Sequence, residues 1–273
     1  MTSSARKKVY VAYTGGTIGM EHTSRGYAPK AGHLGQALKA QPEFQAQSLP
    51  EVQLQEYPDL VDSSNITPKH WNYMAEDIAN RYQEFDGFVI LHGTDTMAYS
   101  ASALSFMLEN LSKPVIFTGS QIPFSKLRSD ARDNLIGALQ LAAKSDIPEV
   151  SLYFHNSLYR GNCTSKTDSS GFAAYQSPNY PELASVGVDI NINRSLTLDM
   201  PNKPMQLHRI FLKLIAIRGH YPFVIIQMTH HFAQIFSTYV FTIRANPDIK
   251  RFNVVFLQNR LCEFQVFFFL VWR

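Results

Sequence analysis

The sequence predicts an α/β fold in which a largely parallel sheet is flanked by helices. Over the first 160 residues, short apolar runs end in Gly, Thr, Ser or Asn, and each run is followed by an amphipathic stretch. Strands that alternate with helices in this way form parallel sheets covered on both faces. A length of 273 residues and a hydrophobic content of 45% are sufficient to build a substantial core around such a sheet.

The predicted elements follow from this pattern in chain order. Thr67 followed by Pro68 is typical of a helix start, because a hydroxyl can cap the helix and proline tolerates its first position. The predicted strands are residues 9–13, 88–91, 115–117 and 150–154, and the predicted helices are residues 71–82, 98–108 and 131–143.

The charge is distributed unevenly along the chain. Residues 1–205 carry 17 basic and 20 acidic side chains, whereas residues 206–273 carry 8 basic and 2 acidic ones, so the net charge of +3 belongs to the second segment. That segment also contains 11 of the 19 phenylalanines and one of the 14 glycines. We therefore expect no nucleic-acid surface on residues 1–205.

Several targeting and cofactor classes are not expected. Residues 1–13 contain only a short apolar run, unlike a secretory signal, and the apolar residues 264–272 are too few for a membrane span. Cys163 and Cys262 lie far apart, which predicts neither a disulfide framework nor a metal site. The sequence predicts a cytoplasmic protein with no metal, no cofactor and no membrane contact.

In a parallel sheet, ligands bind beyond the carboxyl ends of the strands, so the first polar segment of interest is residues 14–19. Its sequence, Thr-Gly-Gly-Thr-Ile-Gly, does not match the glycine spacing of a dinucleotide-binding turn, and no P-loop lysine follows. The segment is either a tight turn with capping threonines or a turn that presents reactive hydroxyls.

The second polar segment is residues 92–97, His-Gly-Thr-Asp-Thr-Met, directly after a predicted strand. It places the Thr94 hydroxyl beside the Asp95 carboxylate, but Asp95 or Thr96 could equally be a helix N-cap. We interpret His92 as a packed structural residue, because a histidine after an apolar strand is more often structural than catalytic.

The third candidate is Lys166, at the start of a Ser-, Thr-, Gly- and Asn-rich loop over residues 162–181. Long loops in compact domains are often functional. Lys166 is either a surface lysine or, if it lies near a hydroxyl, a general base of the kind found in Ser–Lys hydrolases.

Together these segments resemble the bacterial L-asparaginase family, in particular its cytoplasmic, type I branch. The resemblance covers roughly residues 8–188 and includes both family signatures. The signatures are Val11-x-x-Thr14-Gly15-Gly16-Thr17-Ile18-Gly19 and Gly87-x-Val89-x-x-His92-Gly93-Thr94-Asp95-Thr96-Met97. Further similar segments are Gly26-Tyr27, Asp62-Ser63-Ser64, Thr118-Gly119-Ser120-Gln121-Ile122-Pro123, Leu127-Arg128-Ser129-Asp130 and Ser177-Pro178-Asn179.

The resemblance implies hydrolysis of L-asparagine to L-aspartate and ammonia through an acyl-enzyme. Thr14 would be the nucleophile, assisted by Tyr27 on a mobile loop. Thr94, Asp95 and Lys166 would form a second centre, in which Lys166 makes the Thr94 hydroxyl more basic so that it activates water. A threonine hydroxyl is a weak nucleophile and needs such help.

The resemblance also implies the substrate contacts and the assembly. Ser63 would bind the α-carboxylate, Asp95 would hold the ammonium group, and Asp62 and Thr94 would complete the substrate-binding set. Backbone N–H groups of the Gly93-Thr94 turn are expected to stabilise the oxyanion. Family members are homotetramers or dimers, in which a second, smaller α/β domain completes the neighbouring active site.

The family pattern is expected to end before the second domain. We predict a catalytic domain over residues 1–190, a linker over residues 191–205 and an aberrant tail over residues 206–273, so that the second α/β domain is missing or aberrant. A shifted reading frame is one explanation and a divergent domain is the other. The functional alternatives are a catalytically inactive asparaginase remnant and an amidase that acts on glutaminyl groups.

Overall fold

A computed structural model of the chain describes residues 6–24, 26–144, 146–215 and 223–228. The described helices are α1 (His33–Lys39), α2 (Pro68–Arg81), α3 (Met97–Met107) and α4 (Ala131–Ala142), with short 3-10 turns at Thr17–Gly19, Pro42–Gln45, Ser63–Asn65 and Gly161–Cys163. The described strands are β1 (Lys8–Gly15), β2 (Met20–Thr23), β3 (Gly26–Pro29), β4 (Glu51–Val61), β5 (Gly87–Leu91), β6 (Leu108–Glu109), β7 (Val115–Thr118), β8 (Val150–Phe154), β9 (Ser157–Arg160), β10 (Ser165–Lys166), β11 (Tyr175–Gln176), β12 (Ala184–Val186), β13 (Ile190–Ile192), β14 (Gln206–Leu207), β15 (Ile210–Ile215) and β16 (Phe223–Met228).

The central sheet confirms the predicted α/β fold class. Its strand order is β13-β12-β9-β8-β7-β5-β1-β4, and the five strands from β8 to β4 are parallel. All four predicted strands lie in this parallel part. The antiparallel strands β9, β12 and β13 extend the other edge; neither these three nor the parallel edge strand β4 was predicted. The antiparallel strands begin at a hairpin whose two turn residues, His155 and Asn156, both have positive φ, as the tight turn between twisted antiparallel strands requires.

The inner strands β1, β5, β7 and β8 are buried on both faces, and successive side chains of each strand point to opposite sides. Tyr10 of β1 and Phe88 of β5 pack against α2 and α3, whereas Val11 and Val89, their neighbours in the chain, pack against α1 and α4. The inner parallel strands are therefore largely apolar instead of alternating, as is typical of a sheet with helices on both faces, whereas the edge strand β4 is mostly exposed.

The three predicted helices are confirmed. Helices α2, α3 and α4 begin and end within a few residues of the predicted bounds. At the start of α2 the backbone N–H of Thr67 donates to Nδ1 of His70 at 2.9 Å, and Pro68 occupies the first helical position. Helix α3 begins at Met97, immediately after the Thr94-Asp95-Thr96 segment. The polar residues that follow β5 thus lie between the end of a buried strand and the start of a buried helix.

The first residues of the predicted tail pack against the domain. Strand β14 pairs with β6, and the backbone of Ile210 exchanges two hydrogen bonds of 2.8 Å with the side-chain amide of Asn72 on α2. Ile210 is buried. Residues 216–222 and 229–273 lie outside the described residues, so the aberrant tail and the domain boundaries stay predictions.

The loop predicted over residues 162–181 contains a short hairpin, because β10 and β11 pair through Lys166 and Tyr175. This pairing places Lys166 and Tyr175 side by side. In the described part of the chain, none of the helices is both long and apolar enough to cross a membrane.

Candidate active site

Three chain segments converge at the carboxyl ends of β1, β4 and β5. Gly16 has a φ of 81°, and a Cβ atom there would lie 2.4 Å from the Cα of Gly93. A Cβ atom on Gly93 would in turn lie 2.6 Å from Oγ of Ser63. No larger residue fits at Gly16 without moving the backbone. The glycines of the two signatures therefore serve to bring the Thr14, Ser63 and Thr94 segments into direct contact.

Thr14 occupies an irregular position near the end of β1. The register between β1 and β4 shifts around it, since Tyr13 pairs with Glu56 but Gly15 pairs with Val61. The Thr14 side chain is buried, and its hydroxyl donates to the carbonyl oxygen of Leu91 at 3.0 Å. This bond fixes the direction of the hydroxyl proton and leaves the oxygen lone pairs directed elsewhere.

Thr94, Asp95 and Lys166 form a compact polar cluster. The Lys166 ammonium donates to Oγ1 of Thr94 at 2.9 Å and to Oδ1 of Asp95 at 2.8 Å. The Thr94 side chain is buried, that of Lys166 is 15% exposed, and that of Asp95 is 67% exposed. The lysine is thus largely shielded, while part of the carboxylate faces the solvent, where a substrate cation can reach it.

Strand β11 supports the position of Thr94. The Tyr175 hydroxyl donates to the Thr94 carbonyl oxygen at 2.5 Å. Burial, together with the negative charge of Asp95, raises the pKa of Tyr175 well above its usual value. Tyr175 therefore remains a neutral hydrogen-bond donor. Both strands of the hairpin contact the Thr94 segment, β10 through Lys166 and β11 through Tyr175.

His92 is a buried structural residue. Nε1 of Trp71 donates to Oγ of Ser100 at 2.8 Å, Oγ of Ser100 lies 2.9 Å from Nε2 of His92, and Nδ1 of His92 lies 2.8 Å from the Gly93 carbonyl oxygen. The carbonyl can only accept, so Nδ1 carries the proton and Nε2 accepts from Ser100. Both ring nitrogens are therefore satisfied in a neutral imidazole, as the structural interpretation of His92 requires.

Burial gives His92 a predictable effect on stability. Burial lowers the pKa of His92 from 6.5 to about 4, with a smaller contribution from the charge of His70. The unfolded chain therefore takes up this proton at higher pH than the folded chain, so the stabilisation is complete above pH 6.5 and is lost as the pH falls towards 4.

We expect His92 to account for a loss of roughly 2 kcal/mol of unfolding free energy between about pH 7 and about pH 4.5. Chemical denaturation of the wild-type chain and of a His92→Gln variant over this range measures it. The variant has no titrating ring and should show a correspondingly flatter pH dependence, whatever its stability at neutral pH. Parallel curves for the two proteins would contradict the expectation.

Two predicted site residues make no hydrogen bond to the cluster of Thr94, Asp95 and Lys166 within the described part of the chain. Tyr27 lies on the β2–β3 hairpin and is 48% exposed, with its ring centroid 5.5 Å from that of His22 and 5.6 Å from Nζ of Lys126. In this conformation its hydroxyl makes no hydrogen bond to Thr14 among the residues that the structure describes. Asp62 directly precedes Ser63, and its Oδ1 accepts bonds of 2.9 Å from the backbone N–H and the hydroxyl of Ser64.

A further site residue, Gln121, received no role from the sequence. The Thr94 hydroxyl donates to Oε1 of Gln121 at 3.0 Å. Gln121 follows β7, the neighbour of β5, so the rule that ligands bind beyond strand carboxyl ends points to this position too. A glutamine does not ionise, however, and its chemistry gave no reason to select it.

Comparison with known proteins places this architecture in one family. The family model for the asparaginase N-terminal domain matches residues 8–198. L-asparaginase 1 of Escherichia coli (strain K12) is 51% identical over 229 residues, which cover 83% of this chain and 67% of that protein. This chain belongs to the asparaginase family.

Solved structures of asparaginases agree with this assignment. L-asparaginase I from Vibrio cholerae is 49% identical with a TM-score of 0.70, over 76% of this chain and 62% of that one. The thermostable L-asparaginase from Thermococcus kodakarensis is 35% identical with a TM-score of 0.64, over 73% of this chain and 60% of that one. The two type I relatives confirm the predicted branch. The chain spans about two thirds of the length of these relatives.

Proposed function

We propose that this chain is an L-asparaginase that hydrolyses L-asparagine to L-aspartate and ammonia through an acyl-enzyme on Thr14. The observation that carries the proposal is the cluster in which Lys166 lies 2.9 Å from the Thr94 hydroxyl and 2.8 Å from the Asp95 carboxylate. Lys166 is 72 residues from Thr94 along the chain. Such a pairing of a shielded lysine with a buried hydroxyl supports hydrolysis without histidine.

In the acylation step, the Thr14 oxygen adds to the side-chain amide carbon of asparagine. The Thr14 proton is transferred to the amide nitrogen, ammonia leaves, and an aspartyl ester remains on Thr14. The resting Thr14 hydroxyl donates to the Leu91 carbonyl, which is not a base, so the proton needs another acceptor once substrate binds. We assign this assistance to Tyr27, delivered by closure of the exposed β2–β3 hairpin.

In the deacylation step, water attacks the ester under the control of the second threonine centre. Lys166 acts here as the neutral amine, after its ammonium group has lost one proton to solvent: it accepts the proton of Thr94, and the Thr94 oxygen removes a proton from the attacking water. The proton held by Lys166 then returns through Thr94 to the oxygen of Thr14. Aspartate leaves, and the Thr14 hydroxyl is restored. The backbone N–H groups of Gly93 and Thr94 would stabilise the oxyanion in both steps, because they lie on the turn that contacts the Thr14 segment.

The charged and polar groups around the two hydroxyls support binding of an α-amino acid. The exposed Asp95 carboxylate would receive the substrate ammonium, and the buried hydroxyl of Ser63 would receive the α-carboxylate. Ser63 is held in place because Oγ1 of Thr96 donates to its carbonyl oxygen at 2.7 Å. Asp62, which directly follows β4 and precedes Ser63, would complete the set.

The proposal also covers the compartment, the catalytic domain and the assembly of the enzyme. We propose a cytoplasmic protein, as the sequence predicts, with residues 1–190 as the catalytic domain and with L-asparagine as its small-molecule partner. The family resemblance favours a homotetramer or dimer. Size-exclusion chromatography with light scattering measures the assembly, and a monomer that turns over asparagine would show that the site is complete within one chain.

The proposed function is tested by the products that purified full-length chain releases from L-asparagine. We expect equimolar ammonia and aspartate, with L-glutamine turned over roughly 10- to 200-fold less efficiently because a pocket discriminates weakly against one methylene. Folded, soluble protein that releases no ammonia above buffer from either amide would favour the inactive remnant. Preference for a glutaminyl substrate over free asparagine would favour the amidase alternative.

A further inference from the structure

We propose that Gln121 is a positioning residue that sets the direction of the Thr94 hydroxyl and ties it to the loop between β10 and β11. This inference rests on the proposed function, because the direction of that hydroxyl matters only if Thr94 activates water. Among the described residues, Gln121 makes no hydrogen bond to Thr14, Ser63 or Asp95, and it acts through Thr94. Its role follows from three successive hydrogen-bond constraints.

The first constraint orients the Gln121 amide. Its Nε2 donates to the carbonyl oxygen of Gly171 at 3.0 Å and to that of Ser169 at 3.3 Å. Carbonyl oxygens only accept hydrogen bonds, so the NH₂ group must face this loop. A flipped amide would bring Oε1 against two carbonyl oxygens. The Oε1 atom is therefore held towards Thr94.

The second constraint follows for Thr94. Its hydroxyl has one proton, and the Gln121 oxygen, 3.0 Å away, can only accept it. The Thr94 oxygen is then left to accept from Lys166, whose Nζ lies 2.9 Å away. Gln121 thus fixes both the rotamer and the hydrogen-bond polarity of Thr94 in the resting site. When Lys166 is a neutral amine, the Thr94 proton turns from Gln121 to Nζ by rotation about the Cβ–Oγ1 bond, and the oxygen keeps its place. Without the glutamine acceptor, the side chain of Thr94 is no longer held with its oxygen beside Lys166.

The third constraint holds both ends of Gln121. Its backbone N–H donates to the Asp130 carboxylate at 3.0 and 3.1 Å. The loop that receives its side chain is closed by Asp168, whose Oδ1 accepts from the backbone N–H groups of Ser170 at 2.8 Å and Gly171 at 3.0 Å. Gln121 therefore connects the end of β7 to the loop between β10 and β11, and its Oε1 atom faces the Thr94 hydroxyl.

The first test is a Gln121→Met variant, which keeps the side-chain length and removes the amide. We expect kcat for L-asparagine to fall about 10- to 100-fold while KM changes by less than about threefold, the size of effect that follows from one lost hydrogen bond at a reacting group. The matched control is Ser170→Ala, which removes one hydroxyl from the same loop without touching Gln121. It should keep wild-type kcat.

The second readout separates positioning from a structural role. Ammonia is released on acylation and aspartate on deacylation, so Gln121→Met should show a burst of ammonia equal to the enzyme concentration, followed by slow aspartate release. Hydroxylamine attacks the Thr14 ester directly and gives aspartate β-hydroxamate and a free Thr14 hydroxyl. Because it is a stronger nucleophile than water, it should raise turnover of Gln121→Met several-fold more than that of the wild type.

A Gln121→Glu variant keeps the inference testable if Gln121→Met does not fold. The protonated carboxyl group has an O–H donor and an acceptor, as the amide does, whereas the carboxylate repels the two carbonyl oxygens. We therefore expect the ratio of variant to wild-type kcat to rise as the pH falls from about 8 towards 5.

The outcomes distinguish this inference from the proposed function. A wild type that releases no ammonia from asparagine removes the proposed function and the inference with it. An active wild type, with Gln121→Met at full kcat or with acylation and deacylation slowed equally, overturns the inference alone. A kcat loss with an ammonia burst and hydroxylamine rescue establishes it.

Discussion

The Thr14→Ala variant is expected to lose at least roughly a thousandfold in kcat for L-asparagine, because removal of the nucleophile leaves no route to the acyl-enzyme. The loss should appear in kcat with little change in KM, since no substrate-binding role is assigned to the Thr14 hydroxyl. Steady-state ammonia release measures both. The fold should survive, because the truncation removes one buried hydrogen bond to Leu91, a cost of about 1 kcal/mol.

The control for this variant is Thr14→Ser, which restores the hydroxyl without the methyl group. It should recover a measurable fraction of the wild-type rate, whereas Thr14→Ala should not. Thr14→Ala with most of the wild-type activity would show that another residue is the nucleophile. Circular dichroism of the three proteins checks that they fold alike.

The Lys166→Met variant has the second largest expected effect, a loss of about 10²- to 10⁴-fold in kcat, as for removal of a general base. Lys166 contacts both Thr94 and Asp95, and its removal leaves no base to take the Thr94 proton during deacylation. The stability cost should be small, because the Asp95 carboxylate that loses its partner is largely exposed.

The matched control is Lys69→Met, which makes the same substitution at an exposed lysine near the start of α2. It should keep wild-type activity. A Lys166→Met variant with normal rates of both ammonia and aspartate release would remove Lys166 from the mechanism and leave the Thr94 cluster a structural feature.

Local patterns predicted the four inner parallel strands because these are buried on both faces, whereas the exposed parallel edge strand β4 was missed. Continuous apolar runs such as that of β5 can lie only in a covered sheet, and their polar ends then fall on one edge. The antiparallel strands β9, β12 and β13 were missed because they are short, are only partly buried and depend on the conformation of His155 and Asn156. Turn conformations of that kind carry no hydrophobic pattern.

The candidate site could be predicted only in part from local patterns. Rules about strand ends selected Thr14 and Thr94. Lys166 is 72 positions from Thr94, which puts their contact beyond any spacing argument, and it was expected only from the family resemblance. Tyr175 and Gln121 were missed because neither is charged. Their importance comes from the direction of hydrogen bonds, which depends on tertiary geometry.

The nucleophile assignment is tested most directly by the mass of the peptide that contains Thr14 after the Lys166→Met variant is mixed with L-asparagine and quenched in acid. Because this variant slows deacylation, we predict that the peptide gains one aspartyl group in an ester linkage, and that a Thr14→Ala, Lys166→Met double variant shows no gain. Ammonia release with an aspartyl group on another residue, or with no ester on the chain, would contradict a threonine nucleophile at position 14.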